Sequence, residues 1–187
     1  MDHYADFANG PISVFRPEQL RELRERAELN QQRPRYRFCA HEGTNDSLQE
    51  MYICTKDEGY IPVYQHPDTA TTHFILDGSI ALVIFDELGE IVRTIVLEKE
   101  KGAWSCRVGA GIYYMTFVVT TWATYFECKS GPFTSSSNLL APWTPDVNES
   151  EKVNRLMEKV STAVEMECQA LGLGTLEELR NGKSYAK

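Results

Sequence analysis

A chain of 187 residues, 42% hydrophobic and 25% charged, has room for one well-buried domain with appended helices. Its formal net charge of −8 argues against nucleic acid or an anionic membrane surface as the main partner. No apolar run approaches the roughly 18 residues that suggest a membrane span.

The opening MDHYADFANG has neither the basic start nor the apolar core of a signal peptide, and residues 1–15 read as weakly ordered. From Pro17, PEQLRELRERAEL predicts a helix: proline suits its first turn, and Leu20, Leu23 and Ala27 recur on one face. The arginines of the helix alternate with Glu18, Glu22, Glu25 and Glu28, the pattern of a solvated face. Arg33, Arg35 and Arg37 lack that compensation. At alternate positions of an extended segment they share a side, which suits an anionic ligand or a dimer contact.

From Tyr36 to Lys129 the texture is that of strands. MYICTK, THFILDG, SIALVIFD, EIVRTIVLE, GAWSCRV, IYYMTFVVT and TWATYFECK are short, β-branched and aromatic. Turn signals such as Asp77-Gly78 and Glu87-Leu88-Gly89 separate them. Such runs with hairpin-length gaps predict an antiparallel sandwich or barrel, with the wholly apolar IALVIF as a central strand covered on both sides. A Ser/Pro-rich loop with low complexity at Ser135–Ser137 follows Gly131-Pro132. Helical periodicity then returns from about Glu149 to Ala170, with Val153, Leu156, Met157, Val160, Val164 and Leu171 as its stripe. Asn148 with Glu151 reads as its cap, and Thr175 with Glu178 as the capping box of a short last helix. These helices are expected to dock on the β domain or on a second subunit. The resulting division is an N-terminal arm and helix (1–35), a β-barrel (36–145) and a C-terminal helical extension (146–187). The five cysteines (Cys39, Cys54, Cys106, Cys128, Cys168) are odd in number and lack CxxC spacing, so they read as reduced, buried thiols of a cytoplasmic protein.

The middle of the chain resembles the cupins, and within them the WbuC-type cupin-fold metalloprotein family. The resemblance rests on RPRYRFCAHEGTNDSLQEMYI, YIPVYQHPD, ILDGSIALVIFDELGEIV, VGAGIYYMTFV, FECKSGPF and APWTP, spanning about residues 17–145. It implies a mainly β, cupin-like antiparallel β-barrel (jelly roll) with an N-terminal helix; the C-terminal helices lie outside it. It also implies a divalent metal held by three histidines and a glutamate. Matching the motifs places Tyr64, His66, Thr71 and Tyr114 at those four positions, so only His66 keeps a metal-ligand side chain. A first-row divalent site needs three or four readily available N, O or S donors, and neutral phenols and a threonine hydroxyl supply none cheaply. The family's metal dependence therefore does not carry over, and no cofactor is expected.

Strand alternation sends Tyr64 and His66 to one side, Thr71 and His73 to one side, and Tyr114 and Thr116 to one side. The expected pocket joins them, walled by Phe117, Phe126 or their neighbours. Arg37 and Glu127 are candidate ligand-binding residues beside Tyr64, His66, Thr71, His73 and Tyr114. Two blander readings stand next to this: His73 as a core histidine, and Tyr64 and Tyr114 as fillers of the volume a metal cluster once occupied. A rebuilt metal site from His66 and His73 with His41 or Glu127 is a further alternative. The expected function is binding of a small polar molecule, a carbohydrate or nucleotide-sugar, by a metal-free homodimer. The alternative is a metal-independent isomerase, epimerase or lyase with His66 as base and Tyr64 or Tyr114 as acid.

Overall fold

A computed structural model describes residues 4–30, 34–57 and 59–182. The chain begins with a short strand, β1 (Ala5–Phe7), and helix α1 (Pro17–Glu28), with Pro17 at the start of the helix. Strands β2 (Arg35–Cys39), β3 (Leu48–Lys56), β4 (Tyr64–Gln65), β5 (Thr71–Asp77), β6 (Ile80–Phe85), β7 (Ile91–Leu97), β8 (Ser105–Val108), β9 (Tyr113–Val118), β10 (Trp122–Ser130) and β11 (Leu139–Leu140) follow. Helices α2 (Ser150–Ala170) and α3 (Leu176–Arg180) end the fold.

The strands form two sheets in a cupin-like jelly roll. One has the order β1-β2-β3-β10-β5-β8 and the other β11-β4-β9-β6-β7. Pairing is antiparallel apart from β1, which lies parallel to β2. Among the described residues the sheets do not close on each other, so the expected barrel is a pair of facing open sheets. The N-terminal arm also departs from expectation: residues 5–7 add an edge strand to the first sheet, and β2 already begins at Arg35. A three-residue strand is too short to show periodicity, and its partner gives it order.

Strand β6 is the covered central strand that IALVIF predicts, flanked by β9 and β7. Gly78 does not turn a hairpin, because β5 and β6 belong to different sheets. Its φ of +65° carries the chain between the layers, where an added Cβ would run into the Trp122 carbonyl.

Three apolar clusters stack through the molecule. Under α1, Leu23 and Ala27 pack with Tyr36, Cys54 and Trp122. Between the sheets lie Ile53, Ile75, Ile80, Leu82, Leu97, Tyr114 and Tyr125. On the outer face of the second sheet, Val83, Met115 and Phe117 meet Val160, Val164 and Cys168 of α2. The predicted stripe of α2 thus docks on this chain's own sheet. Its N-cap is Glu149 rather than Asn148, whose amide instead reaches back to the Asp146 carboxylate at 2.9 Å. The Thr175–Glu178 capping box forms as predicted, with the Glu178 amide donating to Thr175 Oγ1 at 3.2 Å. All five cysteines are free; Cys39, Cys54 and Cys168 are buried, while Cys106 and Cys128 are half-buried. No described helix is long and apolar enough to cross a membrane.

Candidate functional site

Toward one end of the inter-sheet space the packing gives way to a cavity of about 410 Å³. The second sheet contributes Tyr64 and Thr116, with His66 just beyond β4, and the first contributes Arg35 and Arg37 from β2 and Tyr125, Glu127 and Lys129 from β10. These positions are two apart along their strands, so one alternation delivers each set to the same face. Phe133, Asn138 and Leu140, from the segment after β10, also line the cavity.

Strand β4 pairs with β9 at Tyr64 and Tyr114, whose rings lie 4.9 Å apart between centroids. His66 Nδ1 is 2.7 Å from the Ser137 carbonyl, and its Nε2 is 3.3 Å from the Tyr114 hydroxyl. A carbonyl can only accept, so Nδ1 carries the proton and Nε2 offers a lone pair to Tyr114. Burial holds the His66 pKa below its ordinary value, with the Ser137 carbonyl opposing and Lys129 assisting; at pH 7 the ring is neutral. Burial likewise pushes the hydroxyls of Tyr64 and Tyr114 up, with the Glu127 charge adding to the effect, so both remain protonated.

On the first sheet Glu127 of β10 pairs in register with His73 of β5, and the side chains approach to 3.7 Å between Oε2 and Nε2. That distance is too long for a hydrogen bond, and neither His73 nitrogen has another partner. His73 is fully buried and burial holds its pKa down. Burial alone raises the Glu127 pKa, but the combined fields of His73, Lys129, Arg35 and His66 outweigh it and keep the carboxyl below its usual range. With His73 neutral at pH 7, the charges of Lys129 and Arg35 are the ones that favour the ionised carboxylate. Lys129 Nζ lies 3.4 Å from Asn138 Oδ1 and 5.5 Å from the centre of the Phe133 ring; burial lowers its pKa. Arg35 hydrogen-bonds Tyr125, yet its buried Nε has no partner.

The predicted residues therefore come together, but in two tiers. Tyr64, His66, Arg37 and Glu127 line the cavity, whereas Thr71, His73 and Tyr114 are buried behind it. Thr71 lies beside Tyr114, though its own hydroxyl finds no partner of hydrogen-bond geometry. Of the expected walls, the neighbours of Phe117 and Phe126 line the cavity and the two phenylalanines do not. Phe117 packs outward under α2, and Phe126 packs outward with Tyr52 and Phe74, while Thr116 and Tyr125 take the inward places. The second sheet's outer face is covered by α2, and the first sheet's outer face carries a half-exposed aromatic cluster, so apolar character does not mark the inside. Arg33 lies outside the described residues. His41 lines the cavity mouth with its Nδ1 accepting from the Glu50 amide at 2.9 Å. Sequence reasoning missed Tyr125 and the Phe133–Asn138 contacts to Lys129. Position 125 shared the inward alternation with Glu127, a signal that was available.

The donor set does not fit the divalent metal that the cupin resemblance implies. Three of the four matched positions hold protonated phenols and a threonine, leaving His66 alone. For the rebuilt alternative, His66 Nε2 meets the Tyr114 hydroxyl, His73 faces Glu127, and His41 is engaged by backbone. Among the described residues no group of three or more His, Cys, Asp or Glu is placed to hold an ion.

Residues 15–97 match the family model of a domain of unknown function, DUF6016. No curated protein matches the chain. Among solved structures it is similar to the Schizosaccharomyces pombe Cnp3 cupin domain, at 13% identity and TM-score 0.41 over 51% of this chain and 60% of that one. A dTDP sugar isomerase from Desulfovibrio desulfuricans G20 matches at 14% identity and TM-score 0.44 over 56% of this chain and 67% of that one. Protein SO0799 from Shewanella oneidensis matches at 11% identity and TM-score 0.45 over 73% of this chain and 79% of that one. The chain spans less than two thirds of several structures it matches, 21% of the 11S globulin procruciferin among them. These likenesses concern fold alone.

Proposed function

We propose that the protein binds a small polar molecule, of carbohydrate or nucleotide-sugar type, in the cavity between its sheets without a metal ion. The observation that carries this reading is the placement of Tyr64, His66, Arg35, Arg37, Glu127 and Lys129 around one cavity of about 410 Å³. That volume falls within the roughly 300–1,000 Å³ typical of small-molecule sites. Burying polar groups costs stability unless they are paired, and Arg35 Nε in the lining, with Thr71 and His73 just behind it, lacks a partner, as a site awaiting a ligand would. Aromatic faces at Tyr64, Tyr125 and Phe133 supply the apolar surface that a sugar ring stacks on.

The test is a titration of sugars and nucleotide-sugars into chelator-treated protein, followed by amide chemical shifts. Met51 of β3 also lines the cavity, and shifts clustered on β2, β4 and β10, lost when Met51→Trp fills it, support the reading. Shifts elsewhere, or binding untouched by Met51→Trp, contradict it.

A second reading is acid–base catalysis on the same ligand. Its support is the His66 tautomer: Nδ1 is tied to Ser137 and a neutral Nε2 faces the Tyr114 hydroxyl, which forms a proton-transfer pair. Solvent deuterium entering the bound ligand, and stopping with His66→Ala, distinguishes catalysis from binding.

A further inference from the structure

The cavity has the opposite charge to the chain that builds it. Arg35, Arg37 and Lys129 line it against a single lining carboxylate, Glu127, which leaves an excess of two positive charges from these four side chains. The chain as a whole carries −8. The two arginines stand two apart on β2 and the lysine on β10, with only β3 between those strands, so the three cations converge from one sheet.

The protein partners of Arg35 and Lys129 are incomplete. Glu127 is one carboxylate shared between Arg35 and Lys129, and it also faces His73. Arg35 Nε is buried with no acceptor, and the Asn138 oxygen stands at 3.4 Å from Lys129 Nζ, long for a hydrogen bond to an ammonium. Buried cationic donors short of acceptors are stabilised by an oxyanion more than by any neutral hydroxyl.

Resting on the pocket reading above, we infer that the ligand is an anion. The small polar molecule carries a carboxylate or phosphate group that sits against Arg35, Arg37 and Lys129, and its hydroxyl-bearing part lies toward Tyr64 and His66. Glu127 holds the cations in place and, facing the same space, discourages ligands with no anionic group to displace its attraction.

Calorimetric titration with glucose, glucuronate and glucose 1-phosphate tests this on the full chain at low ionic strength. The three probes share a ring and differ in charge. The expected result is that at least one anion binds about tenfold or more tightly than glucose, the factor a charge-assisted hydrogen bond supplies. Whether glucuronate or glucose 1-phosphate is preferred separates the carboxylate from the phosphate source. Lys129→Met and Arg37→Met each weaken the anion about tenfold and narrow its preference over glucose, and added salt weakens the anion alone. Arg35→Met follows the same pattern if circular dichroism shows it folded; Arg37→Met, at a half-buried position, keeps the test decisive if it is not. Equal affinities for glucose and both anions overturn the inference and leave the pocket reading standing. If none of the three probes binds the wild-type chain, both readings fall.

Discussion

On β9, Met115 and Phe117 pack outward against the α2 cluster, while Tyr114 and Thr116 point between the sheets. The outer face of this sheet is apolar because a helix covers it; the inner face carries hydroxyls and imidazoles although it too is buried. Covered surfaces normally select apolar side chains, since burying a polar group is unfavourable unless it is hydrogen-bonded. The outer face obeys that rule and the inner face breaks it, next to a cavity. One strand thus separates a stabilising surface from a binding surface, and the contrast argues for the site without any appeal to ancestry.

The largest expected effect is on the outer face. Phe117→Ala, at 4% exposure, lowers unfolding free energy by about 3–5 kcal/mol in urea titration, whereas its neighbour Thr116→Ala costs under about 1 kcal/mol. Equal losses would erase the distinction between the two faces. Next, His66→Ala removes the partner of the Ser137 carbonyl and the Tyr114 hydroxyl, costs about 1–3 kcal/mol, and abolishes ligand binding.

The inner face also predicts a pH dependence. His66 and His73 have folded-state pKa values below the ordinary 6.5, so the unfolded chain takes up protons first as pH falls. Stability from keeping them neutral is fully present above about pH 6.5 and is lost progressively below it. Melting temperatures measured from pH 7.5 to 5 should fall, and the fall should shrink in His73→Gln. Glu127 is depressed below 4.5, so its contribution is lost only at lower pH. A profile unchanged by His73→Gln would count against the buried-neutral assignment. The smallest expected effect is that of Tyr64→Phe, which changes stability by less than about 1 kcal/mol and weakens ligand binding several-fold by calorimetry.

Much of this contrast was legible before the structure. Strand alternation alone places Tyr64 with His66, Thr71 with His73 and Tyr114 with Thr116, and the structure joins all six in one region. Alternation does not say which side is inside, however, when both sides are covered. In TWATYFECK the set Tyr125, Glu127 and Lys129 faces the cavity, and Phe126 joins an outer aromatic cluster with Tyr52 and Phe74. Aromatic residues occupy both sets, so Phe126 looked as much a wall as Tyr125. Arg35 was visible as one of an alternating arginine run, but a run of that kind fits a solvated surface equally well. The burial of its Nε follows from β2 facing the second sheet across the cavity, a long-range arrangement that local pattern does not encode. Depth was equally hidden: nothing in the spacing separates His66, which borders the cavity, from His73, which stands behind it.

The most direct test of the account is calorimetric titration of whichever of glucuronate and glucose 1-phosphate binds more tightly into chelator-treated wild-type protein and into Met51→Trp, with and without added zinc or manganese. The account predicts saturable binding to the metal-free wild type, unchanged by either ion and absent from the filled-cavity variant. Binding that requires the ion, or that persists when the cavity is filled, would contradict it.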